Sequence, residues 1–142
     1  MKKLTTRLMI ATAALMVGTG LASAQTLKAE IPFAFHVGDR LMAPGTYRVE
    51  LSQMSGSPLI RLLNVHSGGS AALLPQAKVD PQKAWKTEGN PKLAFACIGG
   101  SCSLAKAWDG SGSYAYTFYR SKLGGDETAY LREIPMQRGK GE

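Results

Sequence analysis

The 142-residue chain has little of what chemistry usually requires: two histidines, two cysteines and ten acidic residues against 17 basic ones. It has no His-Glu-x-x-His pair, no Gly-x-Ser-x-Gly elbow and no phosphate-cradling glycine loop. That excludes the metalloprotease, hydrolase and nucleotide-binding classes that announce themselves by those motifs. No apolar run reaches the roughly 20 residues that a spanning helix needs. Charged residues at 19% and aromatics at 8% are too ordinary for disorder. The length fits one domain, which leaves out a multidomain enzyme, a transporter and a coiled coil.

What is present begins at the N-terminus. Lys2, Lys3 and Arg7 precede an apolar stretch from Leu8 to Leu21, and Ala22-Ser-Ala24 follows. A basic start, a short apolar core and small residues at −3 and −1 make a secretory signal peptide, with cleavage expected between Ala24 and Gln25. The residue immediately after that point is Gln25 and not a cysteine, so the lipoprotein route is not expected. Residues 1–24 carry three bases and no acids, leaving 14 bases against 10 acids in the remainder. Those bases are scattered singly from Lys28 to Lys140. A mildly basic exported domain with no basic run needs no nucleic-acid partner.

Fourteen glycines and all seven prolines lie beyond residue 24, in short clusters between apolar stretches. That pattern predicts many strands joined by turns. Ile31, Phe33, Phe35 and Val37 alternate and predict one strand with a shared face. Pro44-Gly45 predicts a type II turn. Tyr47, Val49 and Leu51 alternate with Arg48, Glu50 and Ser52, a second strand with one wet face. Leu59 to Val65 is apolar at nearly every position and reads as a central strand. Ser67-Gly-Gly-Ser70 reads as a loop, and Ala71 to Leu74 as a short strand stopped by Pro75. Residues 76–92 are polar and read as a long surface connection with one helical turn around Lys83 to Lys86. Leu93–Cys97 and Cys102–Trp108 form the best hairpin. A flexible turn at Asp109-Gly-Ser-Gly-Ser113 and a strand from Tyr114 to Arg120 follow. Gly124-Gly125 breaks the pattern, and Thr128 to Ile134 reads as a last strand. The expected architecture is a single small antiparallel sandwich or open barrel over residues 25–136, with a frayed tail at 137–142.

Cys97 and Cys102 enclose four residues with two glycines at the turn. A hairpin that opposes them also opposes Phe95 and Leu104, with all four on one face. Directly opposed Cα atoms fall within disulfide range, and export supplies the oxidising compartment. A Cys-x-x-Cys redox site has other spacing, and a zinc site needs two more ligands. The pair is therefore read as a structural disulfide.

Other candidates are sparse. His36 and His66, with Met42 and Met54, are the residue types of a soft copper site, but no spacing gathers them. Asp126 and Glu127 are adjacent and point apart on a strand, while Asp109 and Glu88 fall in loops. No pair is therefore set for glycoside hydrolysis. No cofactor or metal is expected. The remaining cluster is aromatic: Trp108, Tyr114, Tyr116, Phe118 and Tyr119. Tyr114, Tyr116 and Phe118 share a face on a strand. With Trp108 they form either a core row or an exposed platform for sugar rings or another protein.

Ile31-Pro-Phe-Ala-Phe-His-Val-Gly38, followed by Ala43-Pro-Gly-Thr-Tyr-Arg-Val49, resembles a group of uncharacterised secreted all-β proteins of soil bacteria. They share an Ile-Pro-Phe-x-Phe-x-Val-Gly opening, a Gly-Thr-Tyr-x-Val strand and a later hairpin ending near Trp. The resemblance spans roughly residues 30–108. Relatives tend to read Pro-Ala where this chain has Ala43-Pro44, and they turn polar beyond the position of Trp108. The resemblance implies an exported all-β domain, periplasmic or secreted, and brings no activity. The functional expectation is a non-enzymatic binding or structural component of the envelope or secretome, with an envelope protein or polysaccharide as partner and no transmembrane anchor. The alternative is a small secreted hydrolase acting on a cell-surface polymer.

Overall fold

A computed structural model describes residues 25–54, 57–112, 114–118 and 129–138. The expected signal peptide, Gly124-Gly125 and the Asp126-Glu127 pair lie outside the described residues. Within them the chain is all-β apart from one short helix. The strands are β1 (Gln25–Ile31), β2 (Phe35–Val37), β3 (Arg40–Met42), β4 (Gly45–Met54), β5 (Ser57–Asn64), β6 (Ser70–Leu73) and β7 (Ala77–Val79). The helix α1 (Lys83–Glu88) comes next, then β8 (Lys92–Ile98), β9 (Ser101–Trp108), β10 (Ala115–Thr117) and β11 (Tyr130–Arg138).

One sheet wraps into a nearly closed barrel in the order β3-β2-β9-β8-β11-β1-β4-β5-β6. Its ends approach where Leu73 of β6 reaches the turn after β2, with Cδ1 3.4 Å from the place a Gly38 Cβ would occupy. Every described pairing is antiparallel except β2 on β9. The interior follows from alternation: Leu27, Ala29 and Ile31 of β1, Tyr47 and Val49 of β4, and Ile60 and Leu62 of β5 are all buried. Phe35 lies edge-on to both Tyr47 and Phe95 (centroids 5.2 and 5.1 Å) at the centre of this core. Each such fully buried ring contributes about 1.5–3 kcal/mol by leaving water.

The Ile31–Val37 run is not one strand. Pro32 has no N–H to give a ladder, so β1 ends at Ile31 and the chain crosses to a different neighbour before β2 begins. The alternation survives the break: Ile31, Phe35 and Val37 are buried, and Phe33 packs half-buried against Phe95 (5.2 Å, edge-on). Gly45 is not in a type II turn. Its φ of 158° lies far from the roughly 80° that a type II turn requires there, and it opens β4 opposite Ile31. Leu59 to Val65 is buried on one face only, through Ile60, Leu62 and Asn64, and β5 lies one strand from the sheet's end. Residues 76–92 carry the expected helical turn, as α1, and run mostly along the surface, but they hold more than a connection. β7 pairs with β10, and α1 buries Trp85 completely. The expected frayed tail begins inside β11, where Gln137 and Arg138 pair with Lys28 and Leu27.

The β8–β9 hairpin matches its expectation at the turn and at the Cys97–Cys102 and Phe95–Leu104 pairs. Ile98 and Ser101 close a two-residue turn in which Gly99 and Gly100 both sit at positive φ (55° and 86°), the type I′ geometry that suits strand twist. Cys97 opposes Cys102 and Phe95 opposes Leu104, all buried in the core.

Between those pairs and the hairpin's base lies a bulge. Ala94 opposes Lys106 while Phe95 opposes Leu104, so Ala105 has no partner on β8. The extra residue reverses the parity of β9. Cys102 and Leu104 face inward before it, and Ala107 faces inward after it. Trp108 therefore points outward into a second cluster with Trp85, Ala94 and Ala115, against which Val79 packs. The free edge of β9 divides at the same point. β2 pairs at Cys102 and Ser103, β10 pairs at Lys106 and Ala107, and the Ala105 carbonyl between them accepts the Phe118 N–H (2.9 Å).

Candidate functional site

The structure separates the aromatic row. Trp108 is buried, stacks on Trp85 (centroids 6.4 Å, planes 20° apart) and donates its indole N–H to the Gly112 carbonyl (2.9 Å). Phe118 is buried in the barrel core at the fork of β9. Both are packing residues. Tyr116 is half-buried against the same core. Tyr119 and Arg120 lie outside the described residues. Tyr114 alone of the expected platform reaches solvent freely, at 53% exposure. Lys78 of β7 reaches over its ring, Nζ 5.8 Å from the centroid, within cation–π range. The lip formed by β7 and β10 thus offers one flat ring and one ammonium, with half-buried Tyr116 in register with Lys78.

The turn after Trp108 is held rather than flexible. One Asp109 oxygen accepts the N–H groups of Ser111 (2.9 Å) and Gly112 (2.6 Å). Gly110 has φ 86° and no room for a side chain: a Cβ there would lie 2.9 Å from the Pro91 nitrogen and from an Arg138 guanidinium nitrogen. Beside it, Asn90, Pro91 and residues 135–138 line an open surface depression.

The other candidate groups stay apart or have structural partners. His36 is half-buried on the outward face of β2 between Ser103 and Leu41. His66 is exposed in the β5–β6 loop, where its backbone N–H, like that of Ser67, donates to Asn64 Oδ1 (3.0 and 3.1 Å). Met42 is buried in the core, whereas nothing is described of the Met54 side chain. Among the described residues, no three His, Cys, Asp or Glu side chains gather as a metal site. Glu88 pairs with Lys92, and Glu133 accepts the Trp85 indole N–H (3.1 Å). Cys97 and Cys102 are joined, with Cα atoms 4.0 Å apart and no free cysteine among the described residues.

Trp85, Asn64 and Lys78 are the residues that local sequence patterning misses. The one available signal was a lone large indole in a polar stretch, since a Trp body is costly to leave in water. Asn64 ends an apolar strand as an ordinary polar residue would, and its role as the anchor of a loop depends on backbone groups two and three residues on. Among the described residues, no helix is long and apolar enough to cross a membrane. Comparison with family models, curated proteins and solved structures finds no match for this chain.

Proposed function

We propose that the chain is an exported, non-enzymatic β-barrel protein of the cell envelope or secretome that binds an envelope protein or polysaccharide through the β7–β10 lip. The supporting observation is the contrast between Tyr114 and the rest of its row. Trp108 and Phe118 are consumed by packing, whereas Tyr114 stands exposed beside Lys78. A flat ring next to a cation suits a sugar face carrying acidic groups. The buried disulfide supports export, because such bonds persist in oxidising compartments. The signal-like N-terminus and the resemblance to secreted proteins point the same way.

The test has two arms. Intact mass of the protein recovered from the periplasm or medium should begin at Gln25; retention of residues 1–24 there would refute the export reading. Retention of the purified protein on an envelope polysaccharide matrix, and on native envelope protein, should fall at least fivefold in Tyr114→Ala and Lys78→Ala with unchanged melting. Equal retention of both variants would refute the lip as the binding surface.

A further inference from the structure

The first strand of the sheet is an inner one. β1 pairs with β4 at all seven of its residues, from Gln25 opposite Leu51 to Ile31 opposite Gly45. On its other side it pairs with β11 at Leu27, Lys28 and Ala29. Leu27 and Ala29 are also core residues, each 1% exposed. Cleavage after Ala24 would make Gln25 the first residue of the exported chain, so no leader residue would separate the new terminus from the ladder. Losing Gln25 and Thr26 would strip two pairs from the β1–β4 ladder, and losing Leu27 would open the core and both ladders at once. Burial gives the terminus no protection, because Thr26 beside it is exposed.

We infer that Gln25, freed by cleavage after Ala24, is a modification site: it cyclises to pyroglutamate, and the lactam caps β1 against aminopeptidases. The inference rests on the export proposed for this chain. Glutamine is the residue type that can close its own terminus, because attack of its α-amine on its side-chain carbonyl carbon, Cδ, forms an unstrained five-membered ring. In that step the uncharged amine nitrogen forms the new C–N bond to Cδ. The bond from Cδ to the side-chain nitrogen breaks, and that nitrogen leaves as ammonia, carrying one proton taken from the amine. No electrons change hands and no co-reactant is consumed. The α-amine is the least basic amine of a protein chain, so part of it is uncharged near neutral pH.

The fold accepts the product. The ring restricts the first residue much as proline would, and the first position of a strand is where a sheet tolerates that restriction. The lactam keeps one N–H as a donor. It also removes a positive charge from a strand end that opposes half-buried Leu51, where a charge would have to hold its water. An aminopeptidase recognises a free α-amine, and the lactam has none. The ring thus closes the one end from which trimming reaches an inner strand after two residues.

Intact mass and stepwise N-terminal sequencing of freshly exported protein, expressed as the full chain, read this directly. The expected product begins at residue 25, is lighter by one ammonia than the unmodified chain in at least nine-tenths of molecules, and gives no N-terminal sequence. A product beginning at unmodified Gln25, or at any later residue, would overturn the cap and leave the export reading standing. Retention of residues 1–24 would overturn both together. Gln25→Asn keeps an amide beside the cleavage site, but its shorter side chain could close only a strained four-membered ring, so this variant should retain its full mass. A broad-specificity aminopeptidase should then trim Gln25→Asn at least tenfold faster than wild type. Equal trimming rates would overturn protection by the ring even where the ring has formed.

Discussion

Truncating Phe118 tests the account of how β9 divides. Its ring is 4% exposed and fills the notch between the β2 and β10 branches, while its backbone N–H holds the Ala105 carbonyl. Phe118→Ala removes the ring and leaves that hydrogen bond intact. The loss is therefore the transfer of the ring plus the cavity it vacates, about 3–5 kcal/mol for a buried phenylalanine. Set against a total stability of about 5–15 kcal/mol, that is a large fraction. With a urea slope of about 1–3 kcal/mol/M, the midpoint should fall by about 1–5 M. The assay is urea unfolding of the oxidised protein followed by far-UV circular dichroism, which reads the strands themselves. Tyr114→Ala, four residues earlier and exposed, is the control and should stay within about 0.5 kcal/mol of wild type. An unchanged midpoint in Phe118→Ala would refute the placement of this ring in the core and with it the explanation of the fork.

Three further outcomes follow from named contacts. Gly110→Ala should cost at least about 2 kcal/mol more than Gly89→Ala. Both residues sit at positive φ (86° and 70°), but only Gly110 faces backbone atoms, those of Pro91; equal midpoints in urea melts would contradict the packing. Asn64→Ala should destabilise by about 1–3 kcal/mol, because the N–H groups of His66 and Ser67 lose their acceptor; faster amide exchange confined to residues 64–70 is the accompanying sign. Cys97→Ala should cost at least about 2 kcal/mol from chain entropy alone for so short a loop; a thermal midpoint equal to the oxidised wild type would show the bond to be dispensable.

Local patterning carried one hairpin well at its tip. The β8–β9 register was legible because turn length, glycine pair and cysteine spacing all demanded the same pairing. The inward faces of β4 and of the Ile31–Val37 run were legible from period-two alternation. What was not legible depends on contacts distant in sequence. Nothing near Ala105 marks it as unpaired, since Ala and Lys are acceptable in either register. Yet that single residue decides that Trp108 leaves the barrel core. Trp85 and β7 were hidden for a related reason: their partners, Ala94, Trp108 and Ala115, come later in the chain and share a face only after the bulge. The aromatic row could not be sorted into core and surface by spacing alone, because the same alternation fits a buried strand and an exposed one. Burial divided it in the middle, at Tyr116.

Both tryptophans of the chain stand in the outer cluster beneath α1, and neither touches the barrel interior. The protein's tryptophan emission is consequently blind to its main core. Emission should report only whether the helix stays docked on β8 and β9, and near-parallel indoles 6.4 Å apart should give that state an exciton-coupled circular dichroism band. If this layer detaches before the barrel opens, indole signals and far-UV ellipticity will trace two transitions rather than one. A chain that looks two-state to one lamp would then look three-state to another, and the difference between the curves would measure how firmly the helical cap is fastened.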